Sequence, residues 1–500
     1  MQHPWDRRLG FWWIAEDHPD APAIAASPEG SFTYGELAGR AHQLVHLFRA
    51  RGLTAGDSVA VLADNGITLP EVSLACQQSG MRMLPLNTHS TAHEIATIVE
   101  HSGAGLLIAG ERFAPLLGAV PPDLLLTTDI LAAARAEHPT TVPSDRTPGG
   151  VFIYTSGTTG TPKGIKRPLP VGDVGEVANA ATVFGRAFDF RPFEGPMLVS
   201  TGMFHTGSHS YYLGGLHVGH ALVIMERFDP EHTLELIERH RVASGYMVPT
   251  QFHRLLQLPA EVRAKYDVSS LHSIVHSAAP CPEPLKRRLM EWWGPVVWET
   301  YGGSEGAATV AKPHRWLEKP GTVGRAVRGV QVSILGPDDQ PLPPGEIGRV
   351  FIDNGVGFRY HGDEQQTAAV FSGSRFTLGD LGYLDDDGYL FISGRAKDMI
   401  ITGGTNVYPA EIEAVLLEHP AVADVGVVGV PDDDWGESIL AFVQTRDTVT
   451  AEELTGFCRA RLASHKVPRR WVFRDDMPRT EAGKLYKLQL RDEYLAAVDR

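Results

Sequence analysis

Residues 151–164 read Val-Phe-Ile-Tyr-Thr-Ser-Gly-Thr-Thr-Gly-Thr-Pro-Lys-Gly. The apolar start is typical of a buried strand, and the following residues are rich in Gly, Ser and Thr. Glycines let the backbone bend and expose its N–H groups, hydroxyls add donors, and one lysine adds positive charge. A loop of this kind can enclose phosphate oxygens. The alternative, an ordinary surface turn, is disfavoured by the length and order of the segment.

This loop differs from the Walker type of phosphate loop. The Walker motif needs Gly-Lys followed by Ser or Thr. Here Pro162-Lys163-Gly164 ends the loop, and the later Gly483-Lys484 is followed by Leu485. The sequence therefore argues against a P-loop NTPase.

The composition indicates an ordinary globular protein, with 43% apolar and 21% charged residues. A chain of 500 residues exceeds what one core supports, so we expect two or three domains. The three cysteines lie far apart, which disfavours disulfides and cysteine zinc sites and favours a reducing compartment. No secretory signal is visible, and no run approaches the about 18 apolar residues of a membrane span. We expect a cytoplasmic protein without an integral membrane segment.

The net charge is −15, from 45 basic and 60 acidic residues, and it opposes binding to nucleic acid. One segment departs from this balance, because residues 459–487 contain nine basic and three acidic residues. Such a cluster is either a solvated face or a surface that meets a polyanionic ligand. The sequence leaves both interpretations open.

The hydrophobic pattern predicts an α/β protein with a smaller α+β unit at the C-terminal end. Helix and strand patterns alternate early in the chain, which implies a parallel sheet. The predicted strands there are 58–62, 81–86, 196–200, 221–225 and 244–248, and the predicted helices are 36–50, 70–79 and 231–240. The C-terminal pattern predicts helices at 409–419 and 451–462 and strands at 422–430, 439–444 and 470–473. We expect a large domain over 1–394, with layered, mostly parallel sheets, and a small mobile domain over 395–500.

Five separated segments resemble, in the same order, the motifs of the ANL superfamily of adenylate-forming enzymes, which includes acyl-CoA synthetases. The segments are the phosphate loop at 155–164, Tyr301-Gly302-Gly303-Ser304-Glu305, Thr377-Leu378-Gly379-Asp380, Gly394-Arg395-Ala396-Lys397-Asp398, and Pro478-Arg479-Thr480-Glu481-Ala482-Gly483-Lys484. The resemblance implies an enzyme that uses ATP and Mg²⁺ to convert a carboxylic acid into an acyl-adenylate and then transfers the acyl group to coenzyme A.

The resemblance also implies a role for individual residues. Lys484 would contact the carboxylate and the α-phosphate, Glu305 would hold Mg²⁺ together with Thr155, and Asp380 would accept from the ribose hydroxyls. Arg395 would contact the ribose or phosphate, and Lys397 would be the hinge between two catalytic poses. His205 would lie between the acyl pocket and the coenzyme A tunnel. The remaining expected ligand-binding residues are Thr155, Ser156, Gly157, Thr158, Thr159, Lys163, Ala278, Ala279, Tyr301, Gly302 and Ser304 around the nucleotide, and Gly403 and Gly404 along the tunnel. Arg469 and Arg470, within the basic segment, are candidates for the phosphates of coenzyme A.

Small residues around the expected acyl site predict its size. Gly214-Gly215, Ala278-Ala279-Pro280 and Gly302-Gly303 have little side-chain volume, which predicts a roomy hydrophobic pocket. A long or bulky acid fits such a pocket, and a polycyclic terpenoid- or steroid-like acid is allowed. The pairs His205/His209 and His217/His220 have a spacing that could hold a metal, but no HExxH motif or nearby carboxylate supports one.

Other functions stay open from the sequence alone. The chain could perform only one half-reaction, either forming the adenylate or transferring a preformed one, or it could pass the acyl group to a carrier-protein thiol. A catalytically silent scaffold is opposed by Lys163, Glu305, Asp380 and Lys484, and no residue points to a luciferase-like oxygenase. A homodimer is compatible with the sequence, which does not determine the oligomeric state or the acid.

Overall fold

The computed structural model describes residues 4–155, 163–402, 405–432, 434–480 and 483–498. Its strands form three sheets. In chain order the strands are β1 Pro22–Ala26, β2 Phe32–Thr33, β3 Ser58–Leu62, β4 Arg82–Pro85, β5 Leu106–Ala109, β6 Leu125–Thr127, β7 Gly150–Thr155, β8 Lys163–Lys166, β9 Met197–Val199, β10 Leu222–Ile224, β11 Ser244–Met247, β12 Ser273–His276, β13 Val297–Gly303, β14 Gly306–Ala311, β15 Gly324–Ala326, β16 Gln331–Leu335, β17 Gly348–Asp353, β18 Arg359–Tyr360, β19 Phe371–Ser372, β20 Arg375–Phe376, β21 Asp380–Leu384, β22 Tyr389–Arg395, β23 Ile400–Thr402, β24 Thr405–Val407, β25 Val422–Asp432, β26 Gly436–Thr445 and β27 Arg470–Arg474.

Helices cover the sheets, and several begin at side-chain caps. Thr33 and Thr450 each accept from the backbone three residues later, where a glutamate bonds back, so both form a capping box. The helices are α1 Phe11–Asp17, α2 Tyr34–Ala50, α3 Thr68–Ser79, α4 Ala92–Ser102, α5 Thr128–Ala136, α6 Val174–Ala180, α7 Thr182–Ala187, α8 Thr206–His217, α9 Pro230–His240, α10 Pro249–Gln257, α11 Ala260–Arg263, α12 Glu283–Trp293, α13 Pro313–Glu318, α14 Glu364–Val370, α15 Pro409–Leu417, α16 Ala451–Arg459 and α17 Lys487–Val498. No helix in these described ranges has both the length and the apolar character that crossing a membrane requires.

The seven-stranded sheet has the order β18-β8-β7-β4-β3-β5-β6. Its strands from β7 to β6 pair in parallel, and β3 is buried along its whole length. A fully buried apolar strand with helical crossovers is what the sequence predicts for residues 58–62, and this prediction is confirmed. The phosphate-loop segment joins this sheet through β7 and β8.

The fifteen-stranded sheet is mixed. Strands β1, β10, β9, β11, β12 and β13 are parallel neighbours, as the alternating pattern predicts. From β13 onward the sheet continues through antiparallel pairs to β14, β15, β22, β21 and β17. The sequence analysis predicts no strands in this second part. The α/β layers are therefore confirmed, with an antiparallel extension that carries several of the motifs.

The third sheet, in the order β24-β23-β26-β25 with β27 beside β26, forms the C-terminal α+β unit that the sequence predicts. Helices α15 and α16 begin within a residue of their predicted starts. The predicted boundary after residue 394 stays a prediction. Strand β22 of the large sheet ends at Arg395, one residue beyond it.

One buried amide connects the two larger sheets close to the expected site. The Asn65 side-chain amide donates to the backbone carbonyls of Thr201 (3.0 Å) and Met225 (2.9 Å), and its oxygen accepts from the backbone N–H of Met203 (2.8 Å). Because all three bonds are buried, losing them would leave unpaired polar groups. Asn65 thus fixes the segment that leads from β9 to His205 and α8.

Candidate active site

The phosphate-loop segment connects two antiparallel strands. Thr155 at the end of β7 lies opposite Lys163 at the start of β8. The Lys163 ammonium is 5.7 Å from the centre of the Tyr360 ring. The predicted loop residues Ser156, Gly157, Thr158 and Thr159 lie outside the described residues.

The turn between β13 and β14 carries Ser304 and Glu305. Glu305 Oε1 accepts from the Tyr360 hydroxyl (2.9 Å), and the Ser304 hydroxyl bonds the Thr206 hydroxyl (2.9 Å). The Ser304 carbonyl accepts from the guanidinium of Arg167. A Cβ at Gly303 would lie 2.6 Å from Glu305 Oε2, so a side chain there would displace the Glu305 carboxylate. Contacts from three distant segments therefore hold this turn.

Asp380 begins β21 and is only 7% exposed. Its Oδ2 accepts from the Tyr301 hydroxyl (2.8 Å), and its Oδ1 is 3.3 Å from Nε of Arg395, which lies opposite it on β22. Burial raises the pKa of Asp380, and the charge of Arg395 and the bond from Tyr301 oppose that rise. Burial also raises the pKa of Tyr301, so the phenol keeps the proton that it donates.

Lys484 lies on a loop that is stabilised by contacts within the C-terminal unit. Arg479 makes a bidentate ion pair with Asp424 (both bonds 2.6 Å) and donates to the carbonyl of Gly483 (2.6 Å). The backbone N–H of Lys484 donates to the Thr480 hydroxyl (3.0 Å). The loop reaches the large part of the chain at Thr250 of α10, whose Cβ would be 3.6 Å from a Cβ at Gly483.

Basic groups from three motifs converge around Arg395 and Lys397, beside Asp380. Partial desolvation lowers the pKa of Lys484, and the charge of Arg395 lowers it further, while Asp398 and Asp380 oppose this. Desolvation, Lys163 and Arg395 likewise lower the pKa of Lys397. These side chains are therefore close enough to influence one another electrostatically. A chain of net charge −15 thus gathers four cations in one place, as a polyanionic ligand requires.

The structure places the predicted alanines and His205 at the edge of the same region. Ala278 follows β12 with φ = +73°, a left-handed conformation that non-glycine residues rarely adopt and that is concentrated at functional sites. Ala278 is exposed and Ala279 is partly exposed. His205 directly precedes Thr206, which contacts Ser304, and its ring centre is 4.2 Å from that of Phe204. Gly403 and Gly404 lie outside the described residues.

Gly214, Gly215 and Gly302 do not provide the free volume that the sequence predicts for a roomy acyl pocket. A Cβ at Gly214 would lie 3.1 Å from Phe184, and one at Gly215 would lie 2.8 Å from the sulfur of Met197. At Gly302 it would lie 2.6 Å from the Gly306 carbonyl of the same hairpin. Neighbouring atoms already fill the space that these glycines leave.

Three of the four histidines considered for a metal have structural partners in the core. His209 bonds the Ser73 hydroxyl (3.0 Å), and His220 bonds Ser244 (3.0 Å) and the Arg191 carbonyl (2.8 Å). His217 accepts from the backbone N–H of Phe11 (3.2 Å). Burial lowers the pKa of each to about 4, so they are neutral near pH 7. No cluster of three metal-binding side chains occurs in the part of the chain that the structure describes.

A cavity of about 480 Å³ lies elsewhere, and none of its lining residues is a predicted site residue. Its floor contains Glu71, which is buried and paired with Arg40 and Arg135 (both 2.8 Å). These charges satisfy one another, so the cavity does not compete with the converging cations as the candidate site.

Four contacts were missed from the sequence, namely those of Arg167, Thr206, Tyr360 and Arg479. Arg479 lies inside the motif at 478–484, so the sequence indicated that this residue belongs near the site. Tyr360 is 55 residues from Glu305, and nothing in the pattern around it indicates the contact.

Comparisons with known proteins identify the family of this chain. Residues 11–358 match the model of the AMP-binding enzyme family, and residues 411–484 match that of the AMP-binding enzyme C-terminal domain. The chain is 32% identical to the long-chain-fatty-acid–CoA ligase FadD13 of Mycobacterium tuberculosis, over 98% of this chain and 99% of that protein. It is also 32% identical to the fatty acid–[acyl-carrier-protein] ligase ScoC of Streptomyces coeruleorubidus, over 96% of this chain and 95% of that protein. The solved structure of o-succinylbenzoate CoA synthetase from Bacillus subtilis with its acyl-adenylate intermediate superposes with a TM-score of 0.83, at 28% identity and over 98% of both chains.

Proposed function

This chain belongs to the AMP-binding enzyme family, and from that premise we propose that its converging cations activate a hydrophobic carboxylic acid with ATP. The enzyme is an ATP-dependent, AMP-forming acyl-CoA ligase that acts through an acyl-adenylate. The observation that supports the residue assignment is that Arg395 pairs with Asp380 (3.3 Å), that Lys484 is close to both, and that Lys397 is close to Arg395 and Lys484. We take residues 1–394 as the part that binds ATP and the acid, and residues 395–500 as the mobile part.

In the first half-reaction Asp380 accepts from the ribose hydroxyls, beside Tyr301 and Gly302. The phosphates face Lys163. They accept hydrogen bonds from Ser304, Thr155 and the loop residues Ser156, Gly157, Thr158 and Thr159. A carboxylate oxygen attacks the α-phosphorus, a new P–O bond forms, and the bond to pyrophosphate breaks. Both reactants are anions, so Lys484 and Arg395 lower the barrier by neutralising their repulsion.

The residues present fit a magnesium ion. Mg²⁺ prefers oxygen ligands and is commonly held by one or two carboxylates together with substrate phosphates. Glu305 supplies one carboxylate, whose Oε1 is oriented by the Tyr360 hydroxyl, and Thr155 supplies a hydroxyl oxygen. Mg²⁺ would supply charge neutralisation on the phosphates, and the chain's own contribution is the fixed direction of Glu305.

In the second half-reaction we propose that the C-terminal part turns at Lys397 and brings Gly403 and Gly404 to the pantetheine tunnel, with His205 between tunnel and acyl group. The thiol sulfur of coenzyme A attacks the acyl carbon and loses its proton to solvent, the C–S bond forms, the acyl C–O bond breaks, and AMP leaves with that oxygen. Arg470 is paired with Asp432 (3.3 Å), whereas Arg469 stacks on the exposed Trp435 (3.7 Å). Arg469 is therefore the better candidate for a coenzyme A phosphate.

A carrier-protein thiol is a second candidate acceptor. The similarity to ScoC, a fatty acid–[acyl-carrier-protein] ligase, favours testing it beside coenzyme A. An enzyme restricted to one half-reaction is a further alternative. It is distinguished from a complete ligase by whether acid and ATP yield acyl-AMP and whether coenzyme A then yields acyl-CoA.

The test incubates the purified chain with ATP, Mg²⁺ and a panel of carboxylic acids, and measures ATP–pyrophosphate exchange and acyl products by mass. We expect exchange that depends on the acid, and acyl-CoA once coenzyme A is added. Acyl-AMP without acyl-CoA would instead indicate an adenylating enzyme or a carrier-protein acceptor. If no acid supports exchange while added acyl-AMP still yields acyl-CoA, only the thioester half of the proposal survives.

A further inference from the structure

The expected acid site lies at the carboxyl ends of parallel strands. Ligands of open α/β sheets bind outside these ends, and here β9, β11, β12 and β13 are parallel neighbours. The strained Ala278 and its neighbour Ser277 follow β12, and α8 begins opposite them at Thr206. An acid that reaches Ala278 therefore extends its acyl group toward α8 and β11.

Tyr246 of β11 occupies that path. Its hydroxyl bonds the Ser277 hydroxyl (2.9 Å), so the ring is anchored beside Ala278. On the α8 side, a Cβ at Gly207 would lie 2.5 Å from the Tyr246 oxygen. The hydroxyl of Tyr246 thus fills the place where a side chain of α8 would otherwise project.

Aromatic rings fill the space behind Tyr246. Its ring stacks on Tyr211 with centres 4.6 Å apart and planes 13° apart. The Tyr211 ring in turn meets Phe184 edge-on, with ring centres 4.7 Å apart, and is tilted against Phe188, with ring centres 5.3 Å apart. Both tyrosines are at most 5% exposed. Moving the first ring would therefore disturb a packed cluster, which cores resist.

The gap that remains beside the two tyrosines and Met197 has no room for even a water molecule. Ligand pockets for drug-sized molecules measure about 300–1,000 Å³. The space between β11 and α8 is therefore too small for a long alkyl chain or a polycyclic skeleton.

From these contacts we propose that Tyr246, anchored by Ser277, closes the acyl pocket and restricts the enzyme to compact carboxylic acids of short chain or one aromatic ring. This inference rests on the proposed function and names its substrate class. The proposed substrate class differs from that of FadD13, whose name specifies long-chain fatty acids.

The test measures kcat/KM for acid-dependent ATP–pyrophosphate exchange with butanoate, benzoate, dodecanoate and 1-naphthoate. In the unmodified chain we expect dodecanoate to be used at least about tenfold less efficiently than butanoate. Tyr246→Ala should raise the dodecanoate-to-butanoate ratio at least about tenfold, because it removes the ring that blocks the path. Tyr246→Phe keeps that ring, so its ratio should stay within about threefold of the unmodified value.

Tyr266→Ala is the matched control, because the Tyr266 hydroxyl bonds Glu231 of α9 (3.0 Å) instead of Ser277, and it should leave the ratio unchanged. If Tyr246→Ala does not fold, Tyr246→Leu should shift the ratio in the same direction by less. Equal use of dodecanoate and butanoate by the unmodified chain, or an unchanged ratio in folded Tyr246→Ala or Tyr246→Leu, would overturn the inference while leaving the ligase activity in place. Absence of exchange with every acid would instead overturn the proposed adenylation on which the inference rests.

Discussion

Asp380 and Lys484 lie in the same candidate site but are held in different ways. Asp380 is buried in a strand of the large sheet, where Tyr301 donates to one oxygen and Arg395 faces the other. Lys484 is exposed at the end of a loop, and the contacts that shape this loop come from Arg479 and Thr480 of the C-terminal unit.

The difference indicates a division of labour. A buried, bonded carboxylate is already oriented before a ligand arrives, so it can serve the nucleotide in both half-reactions. A lysine carried by another unit can serve one half-reaction and then withdraw. Substitutions at the two sites should therefore differ in which half-reaction they affect as well as in size.

The largest expected effect comes from Lys484→Ala. Removing one preorganised charged donor costs about 10²–10³ in rate, so ATP–pyrophosphate exchange should fall by that factor. Formation of acyl-CoA from added acyl-AMP should stay mostly intact, because Lys484 acts only in the first step. Parallel rate measurements of the two half-reactions check this, and an equal loss in both would contradict the division.

Asp380→Asn should affect both half-reactions. A hydrogen bond to a charged group contributes about 1.5–3 kcal/mol, so the loss of the carboxylate should weaken nucleotide use by about 10- to 100-fold. Exchange and thioester formation from acyl-AMP should fall together. Asp387→Asn is the control, because the Asp387 side chain is 67% exposed and lies on a turn paired with Lys319. A loss confined to exchange would show that Asp380 does not hold the nucleotide in the second step.

Arg479→Lys should have a smaller, selective effect. Lysine cannot keep the bidentate pair with Asp424 and also donate to the Gly483 carbonyl. The Lys484 loop should lose its fixed position, and exchange should fall about tenfold with little change in thioester formation. Arg474→Lys, at an arginine paired with Glu493, is the matched control. An Arg479 variant with normal exchange would mean that the loop is positioned by other contacts.

The smallest effect concerns pH. Desolvation and Arg395 lower the pKa of Lys484 in the folded chain, so its positive charge is lost as pH rises through a value below the usual lysine range of about 10.4. The kcat/KM of exchange should decline on the alkaline side, and Lys484→Arg should move that decline to higher pH because arginine stays charged. A decline at the same pH in both proteins would assign it to another group.

Local sequence patterns predicted much of the fold and several residues of the candidate site. The buried strand β3, the crossover helices and the α+β unit follow from the spacing of apolar residues in the chain. Asp380, Arg395 and Lys484 were found through motifs, and the structure brings them together. Their individual roles stay predictions.

What depends on contacts across the chain was not predictable. A glycine such as Gly215 shows that a side chain is missing, but only the fold shows that Met197 fills the space. The antiparallel extension of the large sheet depends on pairs between strands that are distant in sequence, β15 with β22 and β17 with β21. The bond from Tyr360 to Glu305 joins β18 of the seven-stranded sheet to the β13–β14 turn of the fifteen-stranded sheet, so it could not be inferred from either segment alone.

The central claim is that the C-terminal loop must dock for the first step and leave for the second. It can be tested with the double variant Thr250→Cys and Gly483→Cys, because a Cβ at Gly483 would lie 3.6 Å from that of Thr250, within the range of a disulfide. Comparing the oxidised and reduced states of the same protein cancels any strain from placing cysteine at the left-handed Gly483. The oxidised protein should keep the exchange rate of the reduced protein but lose at least about tenfold in thioester formation from acyl-AMP, and a reductant should restore it. Thioester formation at equal rates in both states would contradict the claim.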